Sequence, residues 1–400
     1  MIVGNPLVSV VVPAFNAAQT IQETLESISK QTYANLEVIV VDDGSTDDTV
    51  AIARQHGGGD LRFRVVVQRN QGVAAARNAG IRASKADFVA FVDADDLWHP
   101  TKIAKQLDVL LSSDADTALV YSPFRLIDAE GHVLASPHRY GVSGWVVHRH
   151  FFTNLVGNGS ALLVRRSVLE EFGGFDPWLR RESAEGCEDL LLQLRIAARY
   201  RFAEVSEYLV GYRRLPTNMS SNTEQMVRSG ILAVNKALSE CGSVPGLSAR
   251  AMLKRYEWQR LKLAVRRGQP VASLRGLVQL ASTSPFFVLG AFYQDSQSLA
   301  GKLLQHSTAA ISQLFRQRPP ACTPRHFYDY DPKWGINPFH STSTSRALRR
   351  LARFDRGYRP ITRPDATQHR ATAVEVPDQK AQAFEPGRLD GSCTYQKGYR

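Results

Sequence analysis

The chain has 400 residues, with 49 Lys and Arg against 38 Asp and Glu and a formal net charge of +11. Hydrophobic residues make up 44% and charged residues 22%, which excludes a wholly disordered or collagen-like chain and leaves room for two or three domains. The charge is uneven: Arg316 to Arg400 holds 16 Lys and Arg against 8 Asp and Glu, so the preceding residues are close to balance.

The basic segment reads either as a solvated tail or as an attraction to an anionic membrane surface, because clustered Lys and Arg favour anionic headgroups. No nucleic-acid-binding motif accompanies it, and nucleic acid is not an expected partner. Cys187, Cys241, Cys322 and Cys393 form neither a CxxC nor a Cys/His ligand spacing, so reduced thiols in a cytoplasmic setting are expected. Met1 to Val12 lacks the marks of a signal peptide. Val271 to Tyr293, the most apolar stretch, is interrupted by Arg275, Gln279 and Pro285 and is not expected to span a membrane. The expected location is the cytoplasm, at most peripheral at the inner face of the membrane.

In chain order, Val8–Val12 predicts a strand ended by Pro13, and Ala18–Gln31 a helix with Ile21, Leu25 and Ile28 on one face. Strands at Leu36–Val41, Phe63–Val67 and Phe88–Val92 alternate with helices at Asp47–Gln55, Val73–Ala83 and Thr101–Leu111. Continuous apolar strands between helices predict a parallel sheet covered on both faces, with chemistry beyond the carboxyl ends of the strands. Farther on, Ala118–Leu126, Ser160–Val164 and Tyr208–Tyr212 predict strands and Asp189–Tyr200 a helix. Residues 222–316 are helical in pattern, at Thr223–Glu240, Ala249–Arg267, Val271–Ala281 and Phe286–Phe315. Pro319-Pro320 opens a tail with little periodicity. The implied domains are 1–220, 221–316 and 317–400.

Three acidic clusters carry the candidate chemistry: Asp42-Asp43 with Gly44-Ser45, Asp93-Ala94-Asp95-Asp96, and Glu188-Asp189 at a helix start. A single Asp-Gly-Ser stretch also suits a turn or helix cap. Two such clusters at adjacent strand ends repel each other, and a hard divalent cation relieves that repulsion; Asp-X-Asp suits Mg2+ or Mn2+. Between them Asn70 to Gly80 combines small residues at a helix start with Arg77, as a phosphate site would. Neither GxGxxG nor a P-loop is present.

Val10 to Asn16, Val40 to Ser45, Asn70 to Gly80, Asp93 to Asp96, Gly173-Gly174-Phe175-Asp176 and Glu188-Asp189 occur in this order. Together they resemble the family 2 glycosyltransferases with the GT-A fold over about residues 6–215. That resemblance implies an α/β fold, a GT-A nucleotide-diphospho-sugar transferase fold with a Rossmann-like, mostly parallel sheet, followed by a helical C-terminal region and a poorly ordered basic tail. It implies that Pro13, Ala14 and Asn16 line the nucleotide pocket and that Asp42 and Asp43 contact nucleobase and ribose. It places Asn70, Gly72 and Arg77 along the donor site, with Asp93, Ala94 and Asp95 holding the pyrophosphate and sugar. Asp95, with Asp93, is the implied metal ligand, and the Glu188-Asp189 pair supplies the general base, assigned to Asp189.

The implied reaction is inverting, metal-dependent transfer of one sugar from a nucleotide-sugar donor to a hydroxyl acceptor. UDP-sugars are the family-level expectation, with GDP- and dTDP-sugars open, and glycan or lipid-linked acceptors are implied. The chain departs from the family in three places. Arg180 to Glu185 is extra before the Glu-Asp pair, Gln-X-X-Arg-Trp is missing, and Leu215 stands where a His often follows the Arg213 position. The missing motif favours single transfer over processive synthesis. A sugar nucleotidyltransferase lacks support because no Gly-rich basic loop follows the first strand, and a non-catalytic nucleotide-sugar-binding protein would not need Asp93, Asp95 and Asp189 intact.

Overall fold

In the computed structural model, residues 4–137, 140–241, 246–283, 288, 325–333 and 342–358 are described. The elements run β1 Val8–Ala14, α1 Ile21–Ser29, β2 Leu36–Asp42, α2 Thr49–Gly58, β3 Phe63–Val67, α3 Val73–Ala83, β4 Phe88–Phe91, β5 Leu97–Trp98 and α4 Lys102–Ser112. They continue with β6 Thr117–Tyr121, β7 Phe124–Ile127, β8 Val133–Ala135, α5 Val147–Phe152, β9 Leu162–Arg165, α6 Arg166–Glu171, α7 Trp178–Arg181, α8 Glu188–Ala197, β10 Arg201–Glu204 and β11 Val210–Arg213. Four helices follow: α9 Thr223–Cys241, α10 Gly246–Arg266, α11 Pro270–Thr283 and α12 Thr342–Gly357.

Seven strands form the main sheet in the order β10-β6-β9-β4-β1-β2-β3. β1, β2, β3 and β4 are mutually parallel and β9 runs against its neighbours β4 and β6. Strand order reverses at β1, with β2 on one side and β4 on the other, so the crevice beyond their carboxyl ends is the natural ligand position. The expectation that Pro13 ends the first strand holds on one side only. The ladder to β4 stops at Val11, short of Pro13, which has no N–H to extend it; the ladder to β2 runs on to Ala14.

A second sheet, β5-β11-β7-β8, was not legible. The expected strand Ala118–Leu126 divides at Ser122-Pro123 into β6 and β7, which lie in different sheets. The expected Tyr208–Tyr212 strand is β11, paired with β7 and β5 in that second sheet. α9 packs on α8, and α10 on α5 and α9, all within one compact unit, Met1–Ile361.

The expected helix Phe286–Phe315, apart from Val288, and most of the basic segment lie outside the described residues. Two described parts of that segment differ from an irregular tail. Phe327 is fully buried with Leu97 and Ile127, and α12 packs on α5. The Leu and Arg residues of α12 repeat at helical spacing within a segment rich in charge. No helix among the described residues is long and apolar enough to cross a membrane.

One close approach sets the position of α3. A Cβ on Gly80 would overlap the Val11 side chain of β1. Gly80→Ala is therefore expected to destabilise the protein by about 1–3 kcal/mol, the usual cost of overpacking. Urea denaturation would check this, with Val11→Ala recovering part of the loss in the double variant; an additive double variant would show that the two do not meet.

Candidate active site

The crevice is built by three loops leaving strand ends. Beyond β1, Asn16 takes a left-handed backbone conformation with φ 48. Its Oδ1 accepts from the Thr46 N–H at 2.8 Å and its own N–H donates to Ser45 Oγ at 2.9 Å. Ala14 is buried and its carbonyl accepts from the Asp43 N–H at 2.8 Å. The β1 and β2 loops are thus knitted into one wall that carries Pro13, Ala14, Asn16, Asp42 and Asp43.

Both acids of that wall are buried and bonded to backbone. Asp42 accepts from the N–H groups of Gly44 and Ser45. Asp43 Oδ1 accepts from the Gln71 N–H and Gln68 Nε2 at 2.8 and 2.7 Å, and Oδ2 from the Gly72 N–H at 2.7 Å. Gly72 precedes the first residue of α3 with φ 89, so Asp43 places a carboxylate where the helix leaves N–H groups unpaired. The turn-forming reading of this cluster is therefore observed.

Arg77 projects from α3 into the centre of the site. It is buried, and Nη2 donates to Asp93 Oδ1 at 2.6 Å. Its guanidinium lies 5.1 Å from the centre of the Phe175 ring, which packs edge-on against Phe91 of β4. Asn78 clamps the same turn: its Nδ2 donates to the Phe175 carbonyl at 2.7 Å and its Oδ1 accepts from the Phe175 N–H at 2.8 Å. A surface-solvated Arg77, the bland alternative in sequence, is excluded. Burial opposes its charge, but Asp93, Asp189 and Glu188 together hold its pKa above the ordinary value.

Glu188 and Asp189 open α8. Glu188 is buried and accepts from the Gly186 N–H; burial pushes it up to about 7, against Arg77 and Gly186, which lower it. Asp189 is pushed up to about 6, again chiefly by burial, with Arg77 as the main opposing charge. A helix start favours negative charge, and here desolvation outweighs it.

The Asp93–Asp96 loop has its own brace, which the sequence reading missed. Ser160 Oγ accepts from the Asp93 N–H at 3.0 Å and donates to Asp96 Oδ2 at 2.5 Å. Asp96 Oδ1 accepts from the Arg213 N–H at 2.9 Å. The Arg213 side chain, fully buried, donates to the carbonyl of Asp95 at 2.7 Å, to that of Ala129 and to Glu23. It is neither a surface residue nor free to meet a diphosphate. Trp98 is a core residue whose Nε1 donates to the Ser160 carbonyl at 2.9 Å, and His99 bonds Thr101 at the start of α4. The extra segment folds back on the donor-side residues: Arg180 Nη2 donates to Asn70 Oδ1 at 2.7 Å, and a Cβ on Gly72 would overlap Arg180 and Glu185.

Burial, with Asp93 beside it, pushes Asp95 up to about 7. Asp93 and Asp95 bring hard oxygen donors side by side, which suits a divalent cation of the Mg2+ or Mn2+ kind, so the donor set fits the metal that the resemblance implies. Another set of ligand-type side chains, Asp128, Glu130 and His132, brings its donor atoms within 4.8 Å of one another on the turn between β7 and β8. There Asp128 Oδ1 already accepts from the N–H groups of Glu130 and His132, so it closes the turn.

Replacing Arg77 leaves three crowded acids without their counter-charge. Arg77→Met is expected to cost about 3–5 kcal/mol near pH 8. Glu188 and Asp189 already titrate above their ordinary values and would rise further, so the folded state disfavours their ionisation. The penalty is absent below the unfolded pKa values and grows as pH rises through the folded ones. Denaturation at pH 5 and pH 8 would check this; an equal loss at both would separate Arg77 from these acids.

Comparison with known proteins agrees with this geometry. Residues 9–172 match the family model described as glycosyl transferase family 2. An uncharacterised glycosyltransferase of Rickettsia prowazekii is 31% identical over 179 residues, 44% of this chain and 55% of that protein. The putative teichuronic acid biosynthesis glycosyltransferase TuaG of Bacillus subtilis is 37% identical over 128 residues, 32% of this chain and 50% of that protein. The chain thus spans about half the length of these curated relatives. Among solved structures, a mannosyltransferase from Pyrobaculum calidifontis in complex with GDP-Man and Mn2+ aligns with TM-score 0.53 and 21% identity, covering 79% of this chain and 89% of that one. The fold is that of the GT-A enzymes. Residues 9–172, with their acidic motifs set in order around one crevice, are thus similar to glycosyl transferase family 2.

Proposed function

We propose that this protein transfers a single sugar from a nucleotide-sugar donor to a hydroxyl acceptor, with inversion at the anomeric carbon, in the assembly of a cell-surface glycan. One observation supports this above the others: Asp93 of the Asp-X-Asp motif and the Glu188-Asp189 pair converge on the Arg77 guanidinium. Donor-holding acids and a candidate base thereby face one point at the mouth of the β1/β4 crevice. A UDP-sugar is the first donor to test, with GDP- and dTDP-sugars beside it, since one relative of the same fold was solved with GDP-Man. The acceptor is a glycan or a lipid-linked oligosaccharide; the name of the Bacillus relative, in teichuronic acid biosynthesis, fits that class. The setting is cytoplasmic, soluble or peripheral at the inner membrane face.

In this reading Pro13, Ala14, Asn16, Asp42 and Asp43 form the nucleotide wall, and Asn70 and Gly72 the floor beside it. Asp95 and Asp93 would hold Mg2+ or Mn2+, which supplies Lewis-acid stabilisation of the leaving diphosphate. Asp189 accepts the proton of the acceptor hydroxyl as its oxygen bonds to the anomeric carbon and the bond to the nucleoside diphosphate breaks. Burial suits this role, because a carboxylate near pH 6 is a stronger base than an exposed one and is still ionised at neutral pH. Arg77 keeps Asp189 from rising further and holds Asp93 in place.

Asp189→Asn is expected to lower turnover by about 10²- to 10⁴-fold with nucleoside diphosphate affinity unchanged. The wild-type rate should fall as pH drops through about 6, where Asp189 takes up its proton. A thermal-shift screen of UDP, GDP and dTDP with Mn2+ would identify the nucleotide. Nucleoside diphosphate release assays and NMR of the product anomer would then test the reaction; retained configuration or an undiminished Asp189→Asn rate would overturn the mechanism.

A further inference from the structure

We infer that α12 is a surface by which this protein settles on an anionic lipid bilayer. The inference goes beyond the sugar-transfer reading and stands apart from it. α12 has two opposed faces. Leu348, Asp355 and the following Tyr358 are buried. The Asp355 carboxylate accepts from the His148 N–H at 2.9 Å and from Arg149 Nε at 2.5 Å, and pairs with His148 Nδ1 at 2.8 Å. Tyr358 Oη donates to the Ala198 carbonyl at 2.8 Å. The helix is thus fixed to α5 and to the end of α8 rather than lying loose.

The other face is exposed and cationic. Arg346, Arg349, Arg350, Arg353 and Arg356 are all exposed. At 100° per residue they fall within an arc of about 120°. Asp355 is the one acid in the helix, and it is spent on the docked face. Arg349, Arg350, Arg353 and Arg356 have no ion-pair partner among the described residues. Four residues after Arg350, Phe354 leans on His148 yet remains 60% exposed.

A bilayer rich in acidic phospholipid matches both properties. Its plane of phosphates meets the whole arc at once, and its acyl boundary accepts the ring at the arc's edge. A nucleic-acid groove is a poorer match, because the exposed arc offers no Asn or Gln for base edges and has no use for an exposed phenyl ring. Docking through a helix held rigidly on α5 would also fix how the catalytic crevice faces the membrane, as a lipid-linked acceptor requires.

The test is co-sedimentation of the full chain with vesicles of phosphatidylcholine alone and of phosphatidylcholine with phosphatidylglycerol, at low and high salt. Binding is expected only to the anionic vesicles and should weaken as salt rises. Each exposed arginine contributes about fivefold, so Arg349→Gln/Arg350→Gln/Arg353→Gln together should reduce partitioning by about 100-fold. Phe354→Ser should give a smaller loss that salt does not affect. Unchanged melting temperature and nucleotide binding in these variants would confirm that the fold persists. Absence of wild-type binding to anionic vesicles would overturn the inference. So would equal binding by the triple variant, which would move the contact to other basic residues. Arginine-dependent retention on duplex DNA or heparin without vesicle binding would make the surface a polyanion site instead. None of these outcomes touches nucleotide binding, which tests the sugar-transfer reading on its own.

Discussion

The site depends on one buried guanidinium facing three carboxylates. Asp93 and the adjacent Glu188-Asp189 pair come from two distant parts of the chain, and carboxylates are costly to withdraw from water as anions. Arg77 makes their convergence tolerable, and in return their field keeps it charged under Phe175. The backbone is arranged to deliver that one side chain. Gly80 lets α3 lie against β1, Gly72 lets the chain enter α3 beneath Arg180, and Asn78 locks the turn that supplies Phe175. Within the Gly-Gly-Phe-Asp stretch, Phe175 thus serves to pack on an arginine nearly a hundred residues earlier, while Asp176 pairs with Arg195 and Lys236.

A second brace does for the Asp-X-Asp loop what Arg77 does for the acids. Ser160 reaches it from the turn that leads into β9 and Arg213 from β11, and Asp96 takes a hydrogen bond from each. Because Arg213 also holds the Asp95 carbonyl, the backbone of the motif is anchored to β11, a strand of the smaller sheet. The smaller sheet therefore serves to fix the motif in space. Asp96 is buried and its carboxyl is raised well above the ordinary range by burial and by Asp95 and Asp93. A group so placed is suited to positioning its neighbours.

What could be read in sequence was whatever a short local pattern encodes. The parallel strands appear as apolar runs, the helices between them by their spacing, and Asp42, Asp93 and Asp189 by their places at element ends. Ser160, Glu23 and the burial of Arg213 left no local signal, because their roles arise from contacts that span 60 to 190 residues. The division of one expected strand at Pro123 into two sheets was readable in hindsight from the proline alone. Asp43 has a structural use that local pattern did not specify. Its carboxylate accepts from Gln68, Gln71 and Gly72 at the entry to α3, contacts that lie 25 to 29 residues away in sequence.

The charge of the whole chain conceals a separation of labour. Around the crevice the ionisable groups are mostly negative, buried and matched one to another, so that a cation and a diphosphate complete a balance the protein leaves open. On α12 the exposed groups of one face are positive, while the same helix uses its single acid to hold itself to α5. Buried charges need partners within the fold, since desolvation makes an unpaired one costly; exposed ones can wait for a partner outside it. That asymmetry sorts the arginines by burial. Arg77 and Arg213 are consumed by structure, whereas Arg349, Arg350, Arg353 and Arg356 of α12 have no ion-pair partner among the described residues and face outward.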